Sequence, residues 1–163
     1  MSEYVFEPAA QVTLPVRGTE KLFPVRRIYC IGRNYADHAI EMGGDPDKEP
    51  PFFFQKNSQN VDISGEFPYP KHSNDVHFEM EMVVALKTGG ADIAEADALD
   101  HVFGYGIGLD MTRRDLQGQA KKTGRPWEVG KAFERSAPMS ELVSVSDIGH
   151  LDHGRISLEV NGE

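Results

Sequence analysis

The residues from His77 to Leu86 alternate apolar and polar side chains with the two-residue period of a β-strand. The face opposite the apolar one carries two carboxylates, Glu79 and Glu81. A strand rises about 3.3 Å per residue, so these carboxylates stand roughly 6.6 Å apart along the backbone and point the same way. Two like charges at this spacing are costly without a counter-charge. The pattern therefore predicts either a cation bound between the two acids or a strand face that is simply covered by water.

The composition limits the class of protein. A chain of 163 residues with 39% hydrophobic and 26% charged residues is suited to a globular protein with a real core. A net charge of -9 without a basic stripe argues against nucleic acid and membrane surfaces as partners. No apolar run approaches the roughly 18 residues of a spanning helix, and the first ten residues lack the features of a secretory signal. The sequence therefore predicts a cytoplasmic protein, and the single cysteine, Cys30, is interpreted as a small core residue.

The first third of the chain contains a candidate catalytic pair. Residues 1–24 predict one or two lead-in strands with a turn between them, and we place the main domain at 25–163. A buried strand ending at Gly32 is followed by a helix pattern that begins near Asn34, in which His38 and Glu41 share a face. A histidine held by a carboxylate is a base poised near neutral pH. An ordinary surface His–Glu pair is the alternative.

Two strands follow with unusual compositions. The stretch Phe52–Asn57 begins with three aromatic residues, which predicts a strand buried on both faces. Lys56 near its end is interpreted as either a surface residue or an anion contact. The stretch Phe103–Asp110 predicts a strand with glycines on one face, at every second position, ending at Asp110. Bare glycines beside an acid leave room for something to approach the backbone.

The segment after Asp110 carries the next candidates. A polar helix follows, and Gln117 lies about two turns beyond Asp110, where it can share that side. The stretch Arg125–Glu134 predicts a loop that runs into a short strand carrying Lys131. The only tryptophan, Trp127, is interpreted as a core residue and not as a ligand contact.

The end of the sequence predicts an open hairpin. The stretch Ile156–Val160 alternates as a strand does, and Asn161-Gly162 behind it is a strong hairpin-turn signal. Because the returning strand would lie beyond Glu163, we expect a fragment of a longer domain. Its open apolar edge favours self-association.

Three acids of this sequence fall on the less bulky faces of predicted strands: Glu79, Glu81 and Asp110. With water they make an all-oxygen site, which suits a hard cation such as Mg²⁺, Mn²⁺ or Ca²⁺ better than zinc.

Four runs resemble the motifs of the fumarylacetoacetate hydrolase family, especially its acylpyruvate and fumarylpyruvate hydrolases. The resemblance extends from about Arg27 to the end of the chain, with the runs in the family's order. The runs are Gly32–His38, Phe78–Met82, Gly104–Gln117 and Gly130–Phe133. This resemblance implies a fold of the α+β class that consists mostly of strands. It would be a mixed multi-layer sheet or roll of the type found in that family's C-terminal domain, truncated at its C-terminal end.

The resemblance also implies roles for individual residues. Mg²⁺ or Mn²⁺ would be held by Glu79, Glu81 and Asp110. The water-activating pair would be His38 and Glu41, while Gln117 and Lys131 would orient the substrate and stabilise developing charge. The substrate-binding residues would be Arg33, Asn34, Tyr35 and Lys56.

The implied activity is hydrolysis of the C–C bond of a 2,4-dioxo acid. Fumarylpyruvate, giving fumarate and pyruvate in aromatic-compound degradation, is the expected substrate, and a homodimer is the expected assembly. Oxaloacetate decarboxylation and isomerisation of an unsaturated keto acid remain alternatives within the family. A non-catalytic metal-binding fragment is the alternative outside enzymes.

Overall fold

The computed structural model describes residues 3–32, 34–35 and 52–163, and strands dominate this part of the chain. Two antiparallel pairs come first: β1 (Thr13–Pro15) with β2 (Leu22–Pro24), and β3 (Ile28–Gly32) with β4 (Phe52–Lys56). The first pair lies within residues 1–24. The segment predicted as a helix carrying His38 and Glu41 lies outside the described residues.

The middle of the chain forms three further sheets. Their strands are β5 (Val61–Asp62), β6 (Val76–His77), β7 (Met80–Leu86), β8 (Val102–Leu109), β9 (Thr112–Arg113), β10 (Ala137–Pro138) and β11 (Val143–Ser144). The largest sheet has the order β11-β8-β7 and is antiparallel. Strands β6 and β9 pair antiparallel, whereas β5 and β10 pair parallel.

The helices are short and few in the described residues. They are α1 (Arg114–Thr123), α2 (Glu128–Lys131), α3 (Val145–Ile148) and 3-10 helices at Ser58–Asn60 and Glu95–His101. Helix α1 ends as predicted, because Gly124 adopts the left-handed conformation (φ 62°). None of the described helices is long and apolar enough to cross a membrane.

One hydrophobic cluster joins the lead-in pair to the largest sheet. Its buried members are Leu14, Val25, Ala85 and Leu142. The predicted boundary between residues 24 and 25 therefore runs between two parts that share a core.

The glycine face of β8 is filled by the chain itself. A side chain at Gly104 would overlap the carbonyl group of Val143, and one at Gly106 would reach within 3.1 Å of Leu142. The close approach that the glycines predicted is therefore made by β11 and the segment leading into it.

The stretch from His77 to Leu86 was predicted to form one continuous strand, but it is divided between two strands, β6 and β7. It pairs first with β9 and then with β8, and the change of partner leaves Phe78 and Glu79 between β6 and β7. The apolar face of β7 is largely exposed, at 43% for Met82 and Val84 and 57% for Leu86. Ala85 on the other face is buried, so the acids lie on the same side as the core.

Three other expectations were wrong. Phe53 is 65% exposed, so β4 is covered on one face only. The segment before Lys131 forms helix α2 instead of a strand, with backbone bonds from Gly130 and Lys131 to the carbonyl of Trp127. The stretch Ile156–Val160 is not a strand, because it finds no strand partner among the described residues.

The turn beyond that stretch does form. Asn161 and Gly162 both have positive φ (54° and 87°), as a two-residue hairpin turn requires. Val160 and Glu163 exchange backbone hydrogen bonds of 2.9 and 3.1 Å across it.

Candidate metal centre

The structure brings the three predicted acids together. Oxygen atoms of Glu79, Glu81 and Asp110 all lie within 4.8 Å of one another. Glu79 sits at the break before β7, Glu81 is in β7, and Asp110 directly follows β8. The backbone N–H of Asp110 donates to the carbonyl of Glu79 (2.8 Å), which fixes the two strand ends side by side.

Lys131 supplies a counter-charge from the end of α2. Its buried Nζ donates to Glu79 Oε2 (2.8 Å), Asp110 Oδ2 (2.7 Å) and Thr112 Oγ1 (2.6 Å). An ammonium group has three hydrogens to donate, so each has an acceptor here. To stabilise a developing oxyanion, Lys131 would have to give up one of these three hydrogen bonds and donate to the substrate oxygen instead.

Lys56 lies on the other side of Asp110. It is buried, which excludes the surface interpretation, and its Nζ lies 2.9 Å from Asp110 Oδ1. The Nζ also donates to the carbonyls of Met111 (3.1 Å) and Lys131. Burial lowers the pKa of Lys56, and Asp110 opposes that shift. The anion that Lys56 contacts in this structure is thus Asp110, and its predicted contact with substrate stays a prediction.

The carboxylates differ in their surroundings. Burial alone would raise the pKa of Glu79, but Lys131 and Arg114 outweigh it and hold that pKa below its ordinary value. Among the described residues, the carboxylate of Glu81 has no hydrogen bond or ion pair. Burial, followed by the charges of Asp110 and Glu79, raises the pKa of Glu81 to about 7.

These contacts leave oxygen atoms for a metal ion. Asp110 Oδ1 is buried and lies 2.9 Å from the ammonium group of Lys56, so it would coordinate a cation alongside or in place of that ion pair. The Glu81 carboxylate is unpaired among the described residues. An all-oxygen set of two glutamates and one aspartate is the chemistry that Mg²⁺ and Mn²⁺ accept. The residues present therefore fit a hard divalent cation.

Helix α1 adds a second layer of polar groups. Arg114 forms an ion pair with Glu79 Oε1 and donates to Oε1 of Gln117 (2.6 Å). Gln117 is buried and faces the acids, as its spacing from Asp110 predicted. Our sequence analysis missed Arg114. The signal was present, because an arginine three residues before a glutamine on a helix lies on the same face.

An open cavity of about 610 Å³ borders the acids. Its polar wall includes the three acids with Arg114, Gln117 and Lys131. Its other wall includes Phe52, Phe54 and Trp127, together with Asn34 and Tyr35. The half-buried Trp127 thus lines the cavity, contrary to its interpretation as a core residue.

The remaining predicted site residues divide into two groups. Asn34 and Tyr35 line the cavity, and the Tyr35 hydroxyl accepts a hydrogen bond from the backbone of Met82 (3.3 Å), next to Glu81. Arg33, His38 and Glu41 lie outside the described residues, so their roles stay predictions.

Comparison with known proteins identifies the family. The model of the fumarylacetoacetate (FAA) hydrolase C-terminal domain matches residues 27–163. The chain belongs to the fumarylacetoacetate hydrolase family. Its strand-dominated fold with few helices is that of the family's C-terminal domain, as the resemblance predicted.

Solved and curated relatives of this fumarylacetoacetate hydrolase family domain differ in their activities. The fumarylpyruvate hydrolase of Pseudomonas aeruginosa, in complex with Mn²⁺ and pyruvate, is 51% identical with a TM-score of 0.96, over 99% of this chain and 71% of that one. The oxaloacetate tautomerase YcgM of Escherichia coli is 36% identical over 86% of this chain. The mitochondrial oxaloacetate tautomerase FAHD1 of Mus musculus is 39% identical over 85%. The chain spans 65% and 62% of these two relatives, less than two thirds of their length.

Proposed function

We propose that this chain forms the metal-binding part of a hydrolase that cleaves the C–C bond of an acylpyruvate, with fumarylpyruvate as the expected substrate. The observation that carries the proposal is the convergence of Glu79, Glu81 and Asp110 on one cavity. The 51% identity to a fumarylpyruvate hydrolase that binds Mn²⁺ and pyruvate supports the substrate class.

The donor set assigns the residues that would hold Mg²⁺ or Mn²⁺. Glu81 offers a carboxylate that is unpaired among the described residues, and Glu79 and Asp110 complete the triad. A bound divalent cation supplies a Lewis acid that polarises the keto group of a 2,4-dioxo acid and stabilises the leaving pyruvate enolate.

The other steps belong to side chains. His38, oriented by Glu41, would take a proton from water, and the water oxygen would attack the distal carbonyl carbon. The bond between that carbon and the pyruvate portion then breaks, which gives a carboxylic acid and the enolate of pyruvate. Lys131 would offset the charge on the attacked oxygen once it releases an acceptor, and Gln117 would orient the substrate.

Oxaloacetate tautomerisation or decarboxylation is the second candidate. The curated relatives at 36–39% identity carry those names, and oxaloacetate offers the same carboxylate and keto oxygens to a cation. A metal-binding role without turnover is the third candidate, because the acid triad alone offers the oxygen ligands that a cation needs.

A homodimer and a cytoplasmic location complete the proposal. The exposed apolar face of β7 supports association, because contact with a second subunit would remove the side chains of Met82, Val84 and Leu86 from water. The location stays a prediction, as several relatives are named as mitochondrial.

The test compares substrates and two variants. The Mn²⁺-loaded protein is incubated with fumarylpyruvate, acetylpyruvate and oxaloacetate, and products are followed by NMR. We expect pyruvate and fumarate from fumarylpyruvate, no hydrolysis with His38→Ala, and unchanged Mn²⁺ affinity in that variant. As a control, His153→Ala changes an exposed histidine and should keep the full rate. Turnover of oxaloacetate alone would favour the second candidate, and Mn²⁺ binding without any turnover the third.

A further inference from the structure

A second cavity lies beside the metal cavity. It has a volume of about 620 Å³ and is lined by Tyr29, Phe53, Gln55 and residues around Arg125. The two cavities share four lining residues: Phe52, Phe54, Trp127 and Lys131. The three aromatic residues of this set, Phe52, Phe54 and Trp127, are here called the aromatic partition.

The partition is held together by ring contacts. Trp127 meets Phe52 edge-on, with ring centroids 5.3 Å apart and planes at 88°, and meets Phe54 at 5.6 Å. Gly32 lies opposite Phe52 in the β3–β4 pair, and any side chain there would overlap the Phe52 ring. Such aromatic pairs stabilise their own arrangement beyond the area that they bury.

Trp127 is also fixed relative to the polar wall. Its carbonyl accepts hydrogen bonds from the backbone of Gly130 and Lys131, both at 2.8 Å. Lys131 in turn holds Glu79 and Asp110. One turn of helix α2 therefore connects the backbone of Trp127 to the lysine that holds the acids.

The two walls of the metal cavity suit the two ends of an acylpyruvate. The carboxylate and keto oxygens at the pyruvate end of such a molecule match the acids and their cation, whereas the carbon chain of the acyl group, which in fumarylpyruvate ends in a second carboxylate, extends away from them. An acyl chain directed towards the aromatic partition would be bounded by residues that also line the second cavity. The partition then limits how long or bulky that chain can be.

We propose that the aromatic partition sets the acyl-chain length that this site accepts, with Trp127 as the specificity-determining residue. This inference rests on the proposed function, since it assumes an oxo acid held at the acids. Removing the indole ring would join the two cavities, so that longer or bulkier acyl groups could extend into the second one.

The test measures binding and does not need turnover. Pyruvate and phenylpyruvate are titrated calorimetrically into the Mn²⁺-loaded wild type, Trp127→Ala, Trp127→Phe and Phe53→Ala. Phe53 lines only the second of the two cavities, so its variant is the matched control. We expect the affinity ratio of phenylpyruvate to pyruvate to rise at least tenfold in Trp127→Ala, and to change less than threefold in the other two.

A ratio in Trp127→Ala within threefold of wild type, or no binding of either acid by Mn²⁺-loaded wild type, would overturn the inference. If Trp127→Ala does not load Mn²⁺, the same criterion applies to Trp127→Leu, which keeps an apolar cover on α2. Failure of acylpyruvate cleavage would remove the proposed function but would leave this ratio unaffected. Trp127 is the only tryptophan of the chain, so quenching of its fluorescence by phenylpyruvate in the wild type gives an independent readout.

Discussion

The Nζ atom of Lys131 lies 2.7 Å from Oδ2 of Asp110, and both side chains are almost completely buried. The same nitrogen also contacts Glu79 at 2.8 Å. A buried carboxylate pair needs such a counter-charge, because desolvation and mutual repulsion both disfavour its charged state. The lysine therefore stabilises Glu79 and Asp110 when no cation is present, and leaves Glu81 unpaired among the described residues.

Replacing Lys131 should destabilise the metal-free protein. Lys131→Met keeps the apolar stem but removes the ammonium group, so Asp110 and Thr112 lose a buried partner. We expect a loss of about 3 kcal/mol in the free energy of unfolding, measured by urea denaturation. Adding Mn²⁺ should recover part of it. Lys87→Met, at an exposed lysine, should change the value by less than about 0.5 kcal/mol; an equal effect of the two substitutions would contradict the buried ion pair.

Two glycine substitutions should act in opposite directions. A methyl group at Gly104 would overlap the carbonyl of Val143 in the neighbouring strand, so Gly104→Ala should destabilise the β8–β11 contact by about 2 kcal/mol. Gly118 lies within α1 with open space around it, so Gly118→Ala should stabilise by up to about 1 kcal/mol. Thermal melts of both variants test this prediction. A lower melting temperature in both would contradict the open space around Gly118.

Asp62 should contribute a pH-dependent part of the stability. Its hydrogen bond from Arg135, with help from Ser64, lowers the pKa of Asp62 to about 2 from the ordinary 3.8. A lowered pKa means that the stabilisation is fully present above pH 3.8 and is lost as the pH falls through about 2. Asp62→Asn should therefore be less stable than wild type at pH 7, and the gap should narrow below pH 3.8. The measurement is urea unfolding at several pH values; Asp100→Asn, at an exposed acid, should show no such trend.

The acid triad could be predicted because its signal is local. Glu79 and Glu81 share a face by the period of a strand, and Asp110 directly follows the strand that pairs with β7. Pairing of those strands then brings the three acids together, even though the first of them lies just outside β7. The glycine face of β8 could also be predicted from the alternating sequence, although another segment of the same chain fills the space beside these glycines.

The position of Lys56 could not be read from its own surroundings in the sequence. A lysine at the end of an aromatic strand is usually exposed, and only the non-local contacts with Asp110 and the Met111 carbonyl explain its burial. Trp127 was misjudged for a similar reason, since its place beside both cavities depends on Phe52 and Phe54, which lie far away in the sequence on β4. The stretch Ile156–Val160 shows the converse case, in which a strand pattern lacks a partner in the described residues and the strand does not form.

The central claim is that Glu79, Glu81 and Asp110 hold a divalent cation, and calorimetric titration of Mn²⁺ tests it most directly. Glu81→Gln and Asp110→Asn each remove one charge at nearly constant shape, and Glu95→Gln removes an exposed charge elsewhere. We predict one Mn²⁺ per chain in the wild type and in Glu95→Gln, and affinity at least tenfold weaker in each of the other two. Equal Mn²⁺ affinity in all four proteins, or none in a folded wild type, would contradict the account.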